Sequence, residues 1–98
     1  MKKTFPLHAP GKDDARVRDK IRHEVNKYLR RCRRKPPAEG FRGWDFECRL
    51  GPDEPSARPL ALKEVASAID AVAGTGAAQV YVELLAVPSR RVPVPDEG

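Results

Sequence analysis

The segment of residues 16–35, RVRDKIRHEVNKYLRRCRRK, constrains the fold most, because its apolar residues recur at helical spacing. Successive apolar residues are four, four, three, one and three positions apart, which keeps them within an arc of about 120° on a helical wheel. These residues are Val17, Ile21, Val25, Tyr28, Leu29 and Cys32. The helix begins near Asp13 or Asp14, which suit its N-terminus, and ends before Pro36, since proline lacks the N–H that a helix needs. The sequence therefore predicts one amphipathic helix with a single core-facing stripe.

Other segments show the patterns of strands and of a second helix. Residues 44–50 alternate apolar with charged side chains, which is typical of a half-buried strand. Residues 3–7 predict a short first strand, and residues 79–87, rich in Val, Tyr and Leu, predict a well-buried last strand. Residues 57–62 could pair back as a short strand, although their internal proline restricts it to a sheet edge. Residues 62–73 have helical spacing and predict a second helix.

The order of these elements indicates an α+β fold with two layers. With the short strand counted, the order βαββαβ matches the ferredoxin-like split βαβ, with two helices on one face of an antiparallel sheet. Without that strand, the alternative is a three-stranded sheet under two helices. The length of 98 residues fits one domain. We expect residues 1–87 to form a single compact domain and residues 88–98, PSRRVPVPDEG, to form a Pro-rich mobile tail.

Composition argues against a membrane protein and against a disulfide scaffold. No apolar run approaches the roughly 20 residues that span a bilayer, and Pro6 interrupts the only N-terminal stretch that could resemble a signal peptide. We therefore expect a cytoplasmic protein without membrane contact. In that compartment, Cys32 and Cys48 are expected to be free buried thiols.

Several short motifs resemble those of one family. The opening MKKTFPL, the turn PGK, the helix end RRCRRK, and the segments WDFECRLG and VYVELLA resemble a small bacterial family of uncharacterised proteins, a domain of unknown function. The resemblance spans about residues 1–87. It implies a compact bacterial cytosolic domain and carries over no catalytic or binding residue.

Positive charge is concentrated in the predicted first helix. Residues 16–35 carry ten Lys or Arg against two acids, a formal charge of +8, whereas the whole chain carries +5. Six of these cations fall within about 100° on the side of the wheel away from the apolar stripe. They are Arg16, Lys20, Lys27, Arg30, Arg31 and Arg34. Because they extend along about 27 Å of helix, we expect a solvent-facing cationic track that could follow the phosphates of a polyanion.

The cationic track favours a binding function. Arginine predominates over lysine near its end, which suits bidentate contact with phosphate. No helix-turn-helix or zinc-finger pattern is present, so we expect RNA or a ribonucleoprotein before sequence-specific DNA. The alternative is a protein-interaction domain whose basic helix docks an acidic partner or forms a homodimer. The pattern is also typical of a merely solvated helix face whose basic end complements the helix dipole.

Signals for catalysis, metals and cofactors are weak. The segment HEVNK has lysine where a zincin needs its second histidine, and no catalytic acid, base and nucleophile set can be named. The candidate soft ligands do not have zinc-site spacing; they are His8, His23, Cys32 and Cys48. We expect no metal and no cofactor, and the sequence favours a noncatalytic protein without excluding an enzyme. Trp44 and Phe46 are expected in the core, which leaves Tyr81 as the spare aromatic for base stacking.

Overall fold

The computed structural model describes residues 1–90, which form four strands and two helices. In chain order the elements are β1 (Lys2–Pro6), α1 (Asp14–Arg34), β2 (Gly43–Gly51), β3 (Arg58–Leu60), α2 (Val65–Gly74) and β4 (Gln79–Ser89). A 3-10 turn, Leu62–Glu64, leads into α2. The start of α1 at an aspartate and its end before Pro36 agree with the sequence.

The four strands form one antiparallel sheet in the order β1-β4-β2-β3. The longest ladder joins β2 to β4, from Gly43 opposite Ser89 to Gly51 opposite Tyr81. The predicted α+β class with two helices is confirmed. The three-stranded alternative is wrong, because β3 pairs with β2 along its whole length. The ferredoxin-like arrangement within this class stays a prediction.

The last strand continues two residues beyond its predicted end. Pro88 lies in β4 opposite Trp44, and Ser89 is buried. Proline is tolerated there because β1 has already ended, with Lys2 opposite Glu83, so β4 has a neighbour on one side only. The predicted tail therefore starts within β4, and its residues 91–98 lie outside the described residues.

The hydrophobic core lies between the helices and one face of the sheet. Five of the six residues of the predicted stripe on α1 are buried, and Tyr28 is partly buried. Val65 and Ile69 of α2 join the same core, together with alternate residues of β4, Val80, Val82 and Leu84. The alternating apolar residues of the strands and the apolar stripes of α1 and α2 thus pack together in one layer.

The two helices differ in length, and this leaves part of the sheet covered by α1 alone. At 1.5 Å per residue, the 21 residues of α1 extend about 31 Å and the 10 residues of α2 about 15 Å. Asp70 of α2 lies level with Arg18 and Arg22, in the N-terminal half of α1. Since α2 reaches only about 7 Å to either side of Asp70, residues 28–34 of α1 extend beyond it.

Candidate functional site

The six residues of the predicted cationic track all lie on the exposed side of α1. Each is exposed, because its position on the helix is opposite the buried stripe. Among residues 1–90, no ion pair involves any of the six. The six residues are Arg16, Lys20, Lys27, Arg30, Arg31 and Arg34.

Two other arginines of α1 turn toward α2 and are neutralised there. The Nε atom of Arg18 lies 3.1 Å from Oδ1 of Asp70, and Nη1 of Arg22 donates to the same oxygen at 2.9 Å. Arg22 also contacts Asp19, one turn earlier, at 3.1 Å. Both side chains are only about 30% exposed, at 28% and 30%. The helix therefore carries an inner pair of arginines that shares a carboxylate, and on its exposed side the six residues of the cationic track, for which no ion pair is found within residues 1–90.

A tryptophan side chain holds the C-terminal end of α1 against the sheet. The backbone N–H of Lys35 donates to the carbonyl of Cys32 at 3.2 Å, which closes the last turn. The indole Nε1–H of Trp44 donates to the carbonyl of Lys35 at 2.9 Å. Because C-terminal carbonyls lack intrahelical donors, this bond satisfies one of them and fixes α1 to the start of β2.

Arginine and aromatic side chains meet beside this end of α1. The guanidinium of Arg33 lies over the ring of Phe46, 5.7 Å from its centroid, and that of Arg90 lies over Phe41 at 5.3 Å. Phe41, Trp44 and Phe46 are all partly exposed. We call these five residues the aromatic–arginine surface; they are Arg33, Phe41, Trp44, Phe46 and Arg90. Sequence reasoning placed Trp44 and Phe46 in the core and singled out neither Phe41 nor Arg90. The signal that could have found this surface is the short loop between the RRCRRK helix end and WDF, because Phe41 lies in that loop.

The proposed spare aromatic, Tyr81, is not available for stacking. It lies on the sheet face away from the helices, yet it is only 3% exposed, and its hydroxyl donates to Oε1 of Glu83 at 2.8 Å. Residues 52–57 fold back over this face beside it: an added Cβ on Gly51, its partner in the ladder, would lie 2.9 Å from Cα of Ala57. Burial, followed by the bond to Glu83, raises the pKa of Tyr81 to about 12.

Arg49 and Glu83, on the same sheet face, are already paired with each other. Nη1 of Arg49 lies 3.6 Å from Oε1 of Glu83, and Nη2 of Arg49 donates to the carbonyl of Ala57 at 3.0 Å. These contacts join β2 to β4 and hold the end of the loop of residues 52–57. The arrangement is that of a structural cluster, since both the arginine and the carboxylate have partners within the fold.

Neither a metal site nor a membrane span is found in the described part of the chain. In residues 1–90, no three His, Cys, Asp or Glu side chains lie close enough together to hold a metal ion. No helix in this range has both the length and the apolar composition needed to cross a bilayer. Cys32 and Cys48 are free and buried, as the sequence predicts, and burial raises the pKa of the Cys48 thiol.

Comparison with known proteins identifies a family. A family model described as a family of unknown function, DUF6172, matches residues 1–94. The chain belongs to this family. The predicted membership of a small family of unknown function is therefore confirmed. No curated protein and no solved structure matches the chain. Family membership assigns no role to any residue, so a functional proposal depends on the geometry and charge described above.

Proposed function

We propose that this protein is a noncatalytic module that binds nucleic acid, RNA or a ribonucleoprotein in particular, through the exposed side of α1. The observation that carries the proposal is the separation of cations on this helix. Arg18 and Arg22 share Asp70, whereas the six residues of the cationic track are exposed and have no ion pair within residues 1–90. A helix that needed charge only for solubility could carry acids among its basic residues throughout, whereas residues 30–34 contain four arginines and no acid.

Electrostatics explains why a polyanion suits this surface. Like charges spaced over about 27 Å of one helix face repel one another, and phosphates at similar spacing relieve that repulsion. Binding to a polyanion also releases the counterions condensed on it, which gives affinity without sequence recognition. Guanidinium groups add bidentate contacts to phosphate oxygens, and the track ends in Arg30, Arg31 and Arg34.

Salt dependence tests the proposal directly. Fluorescence anisotropy with a fluorescein-labelled RNA of mixed sequence should show binding that weakens as salt rises. The slope of log affinity against log salt should be roughly −3 to −5 if four to six phosphates are neutralised. No detectable binding at low salt would rule the proposal out.

A matched pair of variants locates the binding surface. Replacing Arg30, Arg31 and Arg34 together by Gln should abolish binding at physiological salt. The control replaces three exposed lysines outside α1 by Gln, which removes the same charge from other elements; they are Lys2, Lys12 and Lys63. It should retain most of the affinity. Equal losses in both variants would mean that net charge alone, and not α1, causes binding.

An acidic protein or a second copy of this chain is the competing occupant of the same face. Co-purification from lysate with and without nuclease separates the two classes, because an RNA-mediated association disappears on digestion. Sedimentation of the purified protein tests the homodimer. A nuclease-resistant complex that the arginine variant disrupts would replace the nucleic-acid proposal with the protein one.

We also propose that the fold is a variant of the ferredoxin-like split βαβ plan. Its support is that each helix joins two parallel strands with one antiparallel strand between them. Helix α1 joins β1 to β2 across β4, and α2 joins β3 to β4 across β2. An experimental structure with a different strand order would contradict this description.

A further inference from the structure

We propose that the aromatic–arginine surface, together with Arg30 and Arg34, is a site for single-stranded RNA, in which bases stack on the side chains at the end of α1. This inference rests on the proposed function and adds the strand type and the place of base contact. The phosphates of the strand would lie along the exposed arginines of α1. The bases would turn inward to the partly exposed rings beside β2.

The shortness of α2 is the first argument. Residues 28–34 of α1 extend beyond α2, so the start of β2 and the end of β4 have only one helix beside them. Phe46 packs at the margin of the core, and Trp44, one position further out on the same strand face, is also partly exposed. Aromatic rings left partly in water can gain from burial against a flat apolar partner, such as a base.

The two arginine–ring contacts are the second argument. Arg33 lies over Phe46 and Arg90 over Phe41, with 5.7 and 5.3 Å between guanidinium carbon and ring centroid. Single-stranded bases stack both on aromatic side chains and on guanidinium groups. A ring with a guanidinium beside it therefore offers a base both a π surface and a nearby charge for its phosphate.

The chain concentrates charge around these rings. Residues 30–42 contain six Lys or Arg against one acid, Glu39. The N–H of Arg42 donates to the carbonyl of Ser89 at 2.9 Å, which holds the loop after α1 next to the end of β4 and to Arg90. Cations from α1, from the following loop and from Arg90, just after β4, thus lie near the aromatic residues.

The accessibility of the base faces determines whether single-stranded or double-stranded RNA suits this surface. In a duplex the base faces are stacked inside the helix, so the rings could reach them only after unpairing. Bases of a single strand can splay outward onto the protein while the backbone follows a basic groove or track. The surface therefore favours single-stranded over double-stranded RNA.

Trp44 is the only tryptophan of the chain, so its fluorescence reports on this site alone. A 12-nucleotide single-stranded RNA should quench Trp44, with the same midpoint that anisotropy of the labelled RNA gives. The same sequence annealed into a duplex should bind at least about tenfold more weakly at equal salt and leave Trp44 unquenched, since a base stack contributes roughly a tenfold factor or more.

Truncation of an aromatic ring completes the test. Phe41→Ala should weaken single-strand binding by roughly 5- to 100-fold, the range expected for the loss of one stacked base. Phe41 lies in a loop and is partly exposed, so this variant should fold, which circular dichroism checks. Leu85→Ala is the matched control, because it truncates a 51% exposed apolar side chain on the opposite sheet face and should not change affinity.

The possible results separate this inference from the proposed function. Salt-dependent binding that does not distinguish single strands from duplex, does not quench Trp44 and survives Phe41→Ala would overturn the stacking site and leave the cationic track standing. Failure of every RNA to bind would overturn both. Quenching by the single strand together with a loss of affinity in Phe41→Ala would establish the site.

Discussion

Replacement of Gly51 by alanine tests how the loop of residues 52–57 is held against the sheet. A Cβ at this position would lie 2.9 Å from Cα and 3.0 Å from N of Ala57, and 3.0 Å from the carbonyl oxygen of Ser56. All three are backbone atoms, so no side-chain rotation relieves the contact. Carbon atoms in favourable contact are about 3.5 to 4.0 Å apart, and the loop would therefore have to move by roughly 0.5 to 1 Å.

The expected loss in the free energy of unfolding follows from the contacts that such a movement would disturb. Ala57 is buried, its N–H donates to the carbonyl of Glu54 at 3.2 Å, and its carbonyl accepts from Arg49. Overpacking of this kind destabilises a folded protein by roughly 1 to 3 kcal/mol. For a chain of this size, that corresponds to a fall in Tm of roughly 5 to 20 °C. A displaced loop should also admit water to Tyr81 and lower its pKa from about 12 toward the ordinary value.

Urea unfolding monitored by Trp44 fluorescence measures the change in the free energy of unfolding, and Gly74→Ala is the control. Gly74 is the last residue of α2, and a Cβ there would meet no atom within 4 Å. Alanine in a helix is favoured over glycine, so this variant should be more stable, by up to about 1 kcal/mol. If Gly51→Ala unfolds at the same urea concentration as the parent, the close approach of the loop to β2 is wrong.

Two further predictions concern single side chains. Asp70→Asn removes the carboxylate shared by Arg18 and Arg22. Because Asp70 is 53% exposed, the free energy of unfolding should fall by only about 1 kcal/mol or less. RNA should bind more tightly in the anisotropy assay, because the inner arginines lose their counter-charge. An RNA affinity that falls would contradict the separation of cations on α1. Tyr81 has a pKa of about 12 in the folded state against an ordinary 10, so the unfolded chain releases this proton first. The contribution of Tyr81 to stability is complete below about pH 10 and falls as pH rises toward 12, and the variant Tyr81→Phe should lack this pH dependence. Urea unfolding across that pH range measures the free energy of unfolding of both proteins. Equal slopes of this free energy against pH for the two proteins would refute the prediction.

Local patterns in the sequence were sufficient to predict the helices and strands and the buried face of α1 and β2. The stripe from Val17 to Cys32 identifies the buried side of α1, and the exposed positions of Arg16 and Arg34 follow from it, because helical phase depends only on spacing along the chain. Alternation identifies β2 for the same reason. The weak short strand also exists, as Arg58–Leu60, in spite of its proline, because it is an edge strand beside β2.

The spacing of residues along the chain could not predict which side chains contact each other across the fold. Periodicity marks Tyr81 as a strand residue but does not show that a loop covers its side of the sheet. Helical phase separates Arg18 from Arg16, but it does not show that Arg18 reaches Asp70 on another helix. Both outcomes depend on contacts between residues far apart in sequence.

The sequence by itself therefore determined which faces are apolar and where the positive charge lies. Only the tertiary structure decided the strand order, the pairing of the inner arginines and the aromatic–arginine surface at the end of α1. That surface exists because α2 is about half the length of α1, so that one end of the sheet has a single helix beside it. Local geometry is encoded residue by residue, whereas such a gap arises only when elements of different length pack together.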